Sequence, residues 1–376
     1  MVSPLWEFVA LIATCGSYKH PRMSDNVHSH LLPGVPFALG AAILFGASTP
    51  FSKFLLGSID PWMLAGLLYL GAGFGLFAVR IFLKVSGQET TEARLAMADY
   101  PWLALVVMVG GIFGPLLLMF GLSRTSAGQA SLLLNLEGLA TMGIAWLVFR
   151  ENVDRRLLVG AFAILCGAVF LAWNGTQFTF DAGGLLIAGA CLAWGIDNNL
   201  TRKLSSADPV QIAMIKGIVA GSVNLLLALS LGAEFPSSGI IGAAAIVGFF
   251  GIGVSLVMFM LGLRHLGTAR TGAYFSLAPF IGAVLAILIL QEPVTAQLII
   301  AGTLMAIGLW LHLAERHEHE HTHGELEHEH RHVHDAHHNH THEGEVTEPH
   351  SHWHRHRPLR HKHPHYPDLH HRLTHQ

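Results

Sequence analysis

The chain is 376 residues long, 52% hydrophobic and only 12% charged, with 22 Lys and Arg against 25 Asp and Glu. A water-soluble domain carries about 25% charged residues, so the composition excludes a soluble globular protein and makes the lipid bilayer the expected solvent. The charge is also unevenly placed: residues 1–314 hold 14 acids and 15 bases, whereas residues 315–376 hold 11 acids, 7 bases and 22 of the 27 histidines.

Residues 1–32 begin with a short apolar run, PLWEFVALIATCG, interrupted by Glu7 and preceded by no base. It is too short to span a bilayer and lacks the positive leader of a secretory signal. Met23 opens MSDNVHSHLLPG just ahead of the first good span, so the protein is expected to start there. Ten apolar segments follow, at about 35–56, 61–83, 101–122, 126–149, 157–173, 183–203, 209–231, 239–263, 268–290 and 294–313. Each approximates the ~20 residues a helix needs to cross, and none alternates with the period of two of a membrane barrel. Three Gly-xxx-Gly pairs, Gly71/Gly75, Gly110/Gly114 and Gly217/Gly221, would let helix backbones approach closely. Cys15, Cys166 and Cys191 have no regular spacing and read as small apolar residues.

Short connections make neighbouring helices antiparallel, and Lys and Arg set the orientation. With the N-terminus inside, one side collects Arg80, Lys84, Arg94, Arg150, Arg155, Arg156, Arg202, Lys203, Arg264 and Arg270; the other collects only Lys53 and Arg124. Both termini are therefore expected in the cytoplasm, and the compact loops suggest a bacterial inner membrane.

The membrane part repeats itself. SAGQASLLLNLEGLATMGIAWLVFRE, from Ser126 to Glu151, has a degraded copy 141 positions later, GTARTGAYFSLAPFIGAVLAILILQE. FGASTPFSK (45–53) aligns with WGIDNNLTR (194–202), and IDPW (59–62) with ADPV (207–210). FRENVDRRLLVGAFAILCG (149–167) aligns with LQEPVTAQLIIAGTLMAIG (290–308). Five spans per half is an odd number, so the second half must be inverted in the membrane, as in many transporters. The domains expected are an N-terminal segment 1–32, repeats at 33–174 and 181–314, and a tail at 315–376.

On these residues the chain resembles the drug/metabolite transporter superfamily, in its EamA-like branch of ten-helix permeases. The segments that carry the likeness are FGASTPFSK and WGIDNNLTRK at the ends of the first helix of each half. LNLEG and SLAPF lie in the fourth helices, and the Glu151 and Glu292 loops precede apolar, Gly-containing helices. The resemblance covers about 35–314. It implies an all-α integral membrane protein, with ten transmembrane helices as two inverted five-helix repeats, that exports a small solute. Gly138 departs from the family, which often has proline after the glutamate; the second half keeps Pro279 but has Ala278 in place of the acid.

Ionisable groups at bilayer depth are costly and mark substrate, ion or proton paths. Glu137 is the foremost candidate, for a cation, a substrate amine or a coupling proton; the alternative is an acid that only stabilises packing. Asn135 is two residues away and so off its face. Asp197, Asn198 and Asn199 lie near the cytoplasmic end of the sixth helix, with Lys216 at similar depth in the seventh. An Asp197–Lys216 pair would neutralise both, either as a gate or as a structural tie. Thr49, Gln129, Asn224 and Ser276 could line a cavity or bond between helices, Pro50, Pro115 and Pro279 could kink their helices, and His265 reads as interfacial.

The tail opens HEHEHTHGELEHEHRHVHDAHHNHTHE and closes HSHWHRHRPLRHKHPHYPDLHHRLTHQ. His317, His319, His321, His323, His328, His330, His332 and His334 lead a flexible donor set for Ni²⁺, Zn²⁺, Co²⁺ or Cu²⁺, with no fixed site and no regular structure expected. Its part through 348 has 10 acids and 2 bases; the rest has 5 bases and 1 acid, and could lie on anionic headgroups.

No cofactor is required beyond a divalent transition metal bound by the tail. The expected partners are the lipid bilayer, a small-solute or metal-ion substrate, and a second copy of the chain in a homodimer; nucleic acid is not among them. Residues 35–314 show no nucleophile–base set, phosphate loop or closed Cys/His site, so an enzyme is not expected. Three functions stay open: export of divalent metals gathered by the tail, export of organic metabolites or drugs with a metal-sensing tail, and metal buffering without transport.

Overall fold

The computed structural model describes residues 34–86, 95–149, 155–173, 182–201, 204, 208–266 and 268–313, and the backbone of four short tail segments. Among the described residues, ten helical runs make up the membrane part. The first two are Val35–Leu56 and Pro61–Val85. The third is composite: Tyr100–Val106, a π-helical stretch Val107–Phe113, and Gly114–Arg124. The fourth is broken into Ala127–Leu133 and Leu136–Phe149. Arg155–Leu171, Ala182–Thr201 and Pro209–Ser230 follow as the fifth, sixth and seventh. The eighth is Ser238–Gly248, a π-helical Phe249–Val254 and Ser255–Leu266. The ninth is broken into Thr268–Phe275 and Ala278–Leu290, and the tenth is Ala296–Leu313. Six of these stretches are long and apolar enough to cross a membrane, and two shorter apolar helices, 278–290 and 296–312, accompany them.

The irregularities fall at matching places in the two halves. The third and eighth runs carry the π-helical stretches, and the fourth and ninth carry the breaks. Packing has the same symmetry: the second run lies on the seventh, the fifth on the tenth and the fourth on the ninth. The third packs on the sixth as the eighth packs on the first, and the sixth meets the fourth as the first meets the ninth. Exchanging the halves leaves this pattern unchanged. The chain is thus two inverted five-helix repeats whose helices interleave.

Local sequence explains how the pairs start. Asp60 accepts from the Trp62 and Met63 amides at 2.8 and 3.4 Å, and Asp208 accepts from Val210 and Gln211 at 2.9 and 3.3 Å. Each aspartate caps a helix whose first residue is proline, Pro61 or Pro209, whose missing N–H is not needed there. Asp208 also pairs with Arg80 at 3.0 Å, tying the seventh run to the second.

Glycine sets the spacing between paired helices. A Cβ on Gly217 would stand 2.7 Å from the Gly73 Cα, and one on Gly221 would stand 2.9 Å from the Gly66 oxygen. The fifth and tenth runs meet the same way, with Gly160 2.7 Å from the Gly308 oxygen by the same measure. Lipid gives helices no hydrophobic reason to associate, so such close backbone packing supplies the attraction. Gly71 and Gly75 face Ala245 and the Phe249 ring, so all three Gly-xxx-Gly pairs in the sequence lie at helix contacts.

Four short strands are described in the tail, 318–323, 326–332, 350–356 and 359–364. The first pairs antiparallel with the last, and the two inner ones pair with each other. Histidine at alternate positions has the period of a strand, which explains the extended backbone. His317 and His334 lie outside the described residues.

Gly217→Leu should lower the melting temperature of the detergent-purified protein, because overpacking a tight contact costs about 1–3 kcal/mol. Gly138→Ala, where nothing lies within 4 Å, should leave it unchanged. Equal melting curves for the two variants would refute the close-packed pairing.

Candidate functional site

The site is built around the π-helical turn of the third run, where Gly110 and Gly111 stand side by side. A π turn frees backbone groups from the regular ladder and often lies at functional positions. The Gly110 oxygen accepts from the Tyr69 hydroxyl of the second run at 3.1 Å and from the Trp194 indole N–H of the sixth at 3.0 Å. The Gly111 oxygen accepts from Asn224 of the seventh run at 3.4 Å. Four helices thus converge on two adjacent glycines.

Only glycine permits the next contact. A Cβ on Gly110 would collide with the carboxyl group of Asp197. Asp197 forms an ion pair with Lys216, and their side chains are only 7% and 15% exposed. Thr201 donates to the other Asp197 oxygen at 3.3 Å. The pair that sequence position suggested is therefore formed, between the sixth and seventh runs.

Glu137 reaches the same neighbourhood from the fourth run. The helix stops at Leu133, Leu134 and Asn135 form a turn, and a new helix starts at Leu136 with Glu137 in its first turn. An acid there is stabilised by the helix dipole, and broken helices at mid-membrane are a recurrent feature of transporter binding sites. One Glu137 carboxylate oxygen accepts from the Asn198 amide at 3.0 Å, and the same amide nitrogen lies 3.2 Å from the Thr141 hydroxyl. Asn199 donates to the backbone oxygens of Thr141 and Gly195, at 3.0 and 2.8 Å. The run Asp197–Asn198–Asn199 therefore divides its work: the aspartate serves Lys216, and the two asparagines bind the fourth helix. Asp197 and Lys216 lie within electrostatic reach of Glu137.

Asn135 is not part of this cluster. Its amide donates to the Leu132 oxygen at 2.9 Å and points to the Met305 sulfur at 3.8 Å, against the tenth run. Thr49 and Pro50 are buried in the first helix. Gln129 accepts from Thr125 at 3.1 Å near the start of the fourth run. The side chain of His265 lies outside the described residues.

The symmetry-related interface repeats the shape with uncharged residues in the corresponding places. Where Asp197 covers Gly110, Ser48 covers Gly251 in the π-helical turn of the eighth run, with a built Cβ 2.6 Å from the Ser48 Cβ. Gly46 packs on Ala278 as its aligned partner Gly195 packs on Ala140 and Thr141. Ser48 and Ala278 stand at the positions that align with Asp197 and Glu137 in the opposite halves. Sequence reasoning missed Tyr69, Trp194 and the two glycine carbonyls. The available signal was a Gly-Gly pair at mid-span with a tyrosine and a tryptophan in otherwise apolar helices.

Glu292, whose loop the alignment singled out, sits elsewhere. It accepts from the Ala127 and Gly128 amides at 2.6 and 2.8 Å, closing the start of the fourth run. Lys53 donates beside it to the Leu122 and Thr125 oxygens at 2.6 and 2.8 Å.

Two interleaved inverted repeats, broken fourth helices and a partly buried polar cluster between them define a multi-pass membrane transporter of the inverted-repeat class. The model of the EamA-like transporter family matches residues 32–173 and again 181–314. The chain belongs to that family, and with it to the drug/metabolite transporter superfamily. An uncharacterized transporter of Methanothermobacter thermautotrophicus is 32% identical over 315 residues, 80% of this chain and 90% of the relative. The uncharacterized transporter YyaM of Bacillus subtilis is 24% identical over 288 residues, 72% of this chain and 92% of its own. A probable amino-acid metabolite efflux pump of Salmonella typhimurium is 24% identical over 293 residues, 73% and 93% of the two chains. One solved crystal structure, 17% identical, shares the fold with a TM-score of 0.56 over 74% of this chain and 94% of that one.

Lys216→Met should destabilise the protein, because removing one partner of a buried pair costs about 3–5 kcal/mol. Adding Asp197→Asn should restore part of the lost melting temperature. No recovery in the double variant would mean that the two side chains do not act as a pair.

Proposed function

We propose that the protein exports small organic solutes carrying a positive charge and exchanges them for protons at Glu137. The observation that carries this reading is the charge count of the cluster: two carboxylates, Glu137 and Asp197, face one ammonium, Lys216. Lys216 is engaged by Asp197. Among the described residues the hydrogen-bond partner of the Glu137 carboxylate is the neutral Asn198 amide, so its charge awaits a counter-ion. A substrate ammonium or a proton meets that need equally, and one displaces the other. Asn198 and Thr141 would then orient the solute, while the Asp197–Lys216 pair holds the sixth and seventh helices together. The positive side of the bundle is taken as the cytoplasm, with the His-rich tail on that side. The name of the Salmonella relative, a probable amino-acid metabolite efflux pump, is in keeping with such a cargo.

A second reading, divalent transition-metal export, is favoured by the tail and its 22 histidines. The donor set at Glu137 speaks for the organic cargo: one carboxylate, an amide and a hydroxyl suit an ammonium or a proton, whereas Ni²⁺, Co²⁺ and Zn²⁺ prefer imidazole and thiolate. In that case the tail ties transport to metal status. A tail that buffers metal with no transport at all is the third outcome.

Efflux from vesicles carrying the purified protein separates the three. With a panel of amines and amino acids, Glu137→Gln should cut proton-driven efflux about tenfold or more, the scale of one charge-assisted hydrogen bond worth about 1.5–3 kcal/mol. Its melting temperature should stay near wild type. Truncation after Ala314 should leave organic efflux in place. Efflux of Ni²⁺ or Zn²⁺ that depends on Glu137 would replace this reading with metal export; no efflux of any solute, with metal held by the tail, would establish buffering.

A further inference from the structure

The tail's two ladders set histidine opposite histidine. In the first, His319 pairs with His363 and His321 with His361. In the second, His328 pairs with His354, His330 with His352 and His332 with His350. Alternate residues of a strand share a face, so the paired histidines of each ladder fall on one face. Directly opposed residues have Cβ atoms about 4.5–5.5 Å apart, a spacing at which two imidazoles can share one ion.

The alternate positions are complementary in charge. Glu320 stands opposite Lys362, and Glu327 opposite Arg355. The acidic and basic parts of the tail are thereby brought together, instead of serving cations and headgroups separately. Yet a two-stranded ribbon by itself is marginal in water. Charge pairs on an exposed face contribute little. A metal ion bridging strands supplies what is missing, because binding free energy at a site absent from the unfolded chain becomes folding free energy.

We propose that the tail is a metal-stapled pair of ribbons: divalent transition-metal ions bind between its cross-strand histidine pairs and hold the strands in register. The site is thus fixed in position, where composition alone gave a diffuse donor set. It joins the first strand after the tenth helix to a strand 36 residues beyond its end, 323 to 359, so loading shortens a long cytoplasmic tail into a compact one. This inference is independent of the cargo carried by the membrane part.

The full-length protein in detergent tests it, with Zn²⁺ alone as the probe. Spin labels on Thr322→Cys and Arg360→Cys, which are opposed in the first ladder, should show strong dipolar broadening with Zn²⁺ and little after chelation. His361→Asn with His363→Asn should abolish that broadening and remove Zn²⁺ capacity. His370→Asn with His371→Asn, which removes as many histidines outside the ladders, should do neither. Labels that stay apart at saturating Zn²⁺, or equal losses from the two double substitutions, would overturn the proposal.

Discussion

Backbone contact between inverted helices is the constraint on which the rest depends. Gly217 lies on Gly73 and Gly221 on Gly66, so the seventh run approaches the second more closely than any side chain would allow. In a bilayer, apolar side chains gain nothing by leaving lipid for one another, and packing must supply the association. This contact brings Lys216 and Asn224 up to the third run, where the π-helical turn at Gly110 and Gly111 presents its carbonyls. The polar cluster sits where it does because small residues let three helices close on a fourth.

The two interfaces between the halves share geometry and differ in charge. Both halves have a π-helical turn in the third helix, a break in the fourth and a glycine beneath the residue that covers the turn. Only the first interface carries Glu137, Asp197 and Lys216; the second carries Ala278 and Ser48 in the corresponding places. A fold built on near-symmetry can exchange the roles of its halves at modest cost. In the proposed cycle, charge placed at one of the two interfaces would make transport polar, because a proton or a cation would have its counter-charge at that interface. In the proposed cycle the aspartate–lysine pair is the fixed element and Glu137 the one that changes partners.

Parts of this were legible in the chain and parts were not. Apolar length, short loops and the 141-residue offset disclose ten helices in two inverted halves, because each signal is local or a direct comparison of segments. Glu137 stands out for the same reason: one acid in an apolar stretch needs no fold to be conspicuous. The divergence of Asn135 from Glu137 is also local, since residues two apart point to different sides of a helix. Tyr69 and Trp194 were passed over because an aromatic in a membrane helix is ordinary until its partner is known. That partner, a glycine oxygen freed by a π turn, is a property of backbone hydrogen bonding and leaves little trace in composition.

The tail shows the same division. Its histidines and its acidic and basic parts are plain in the sequence, but strand register decides which residue meets which. By itself, the sequence determined the solvent, the number of spans, their inverted repetition and the one conspicuous acid, since these follow from transfer energy and chain length. Tertiary structure alone decided that Asn198 serves Glu137, and that two glycine carbonyls hold four helices at one point; it also closed the Asp197–Lys216 pair that sequence position had only suggested. Those pairings depend on angstrom-scale approach between helices distant in sequence, and that approach is set by the packing of the whole bundle.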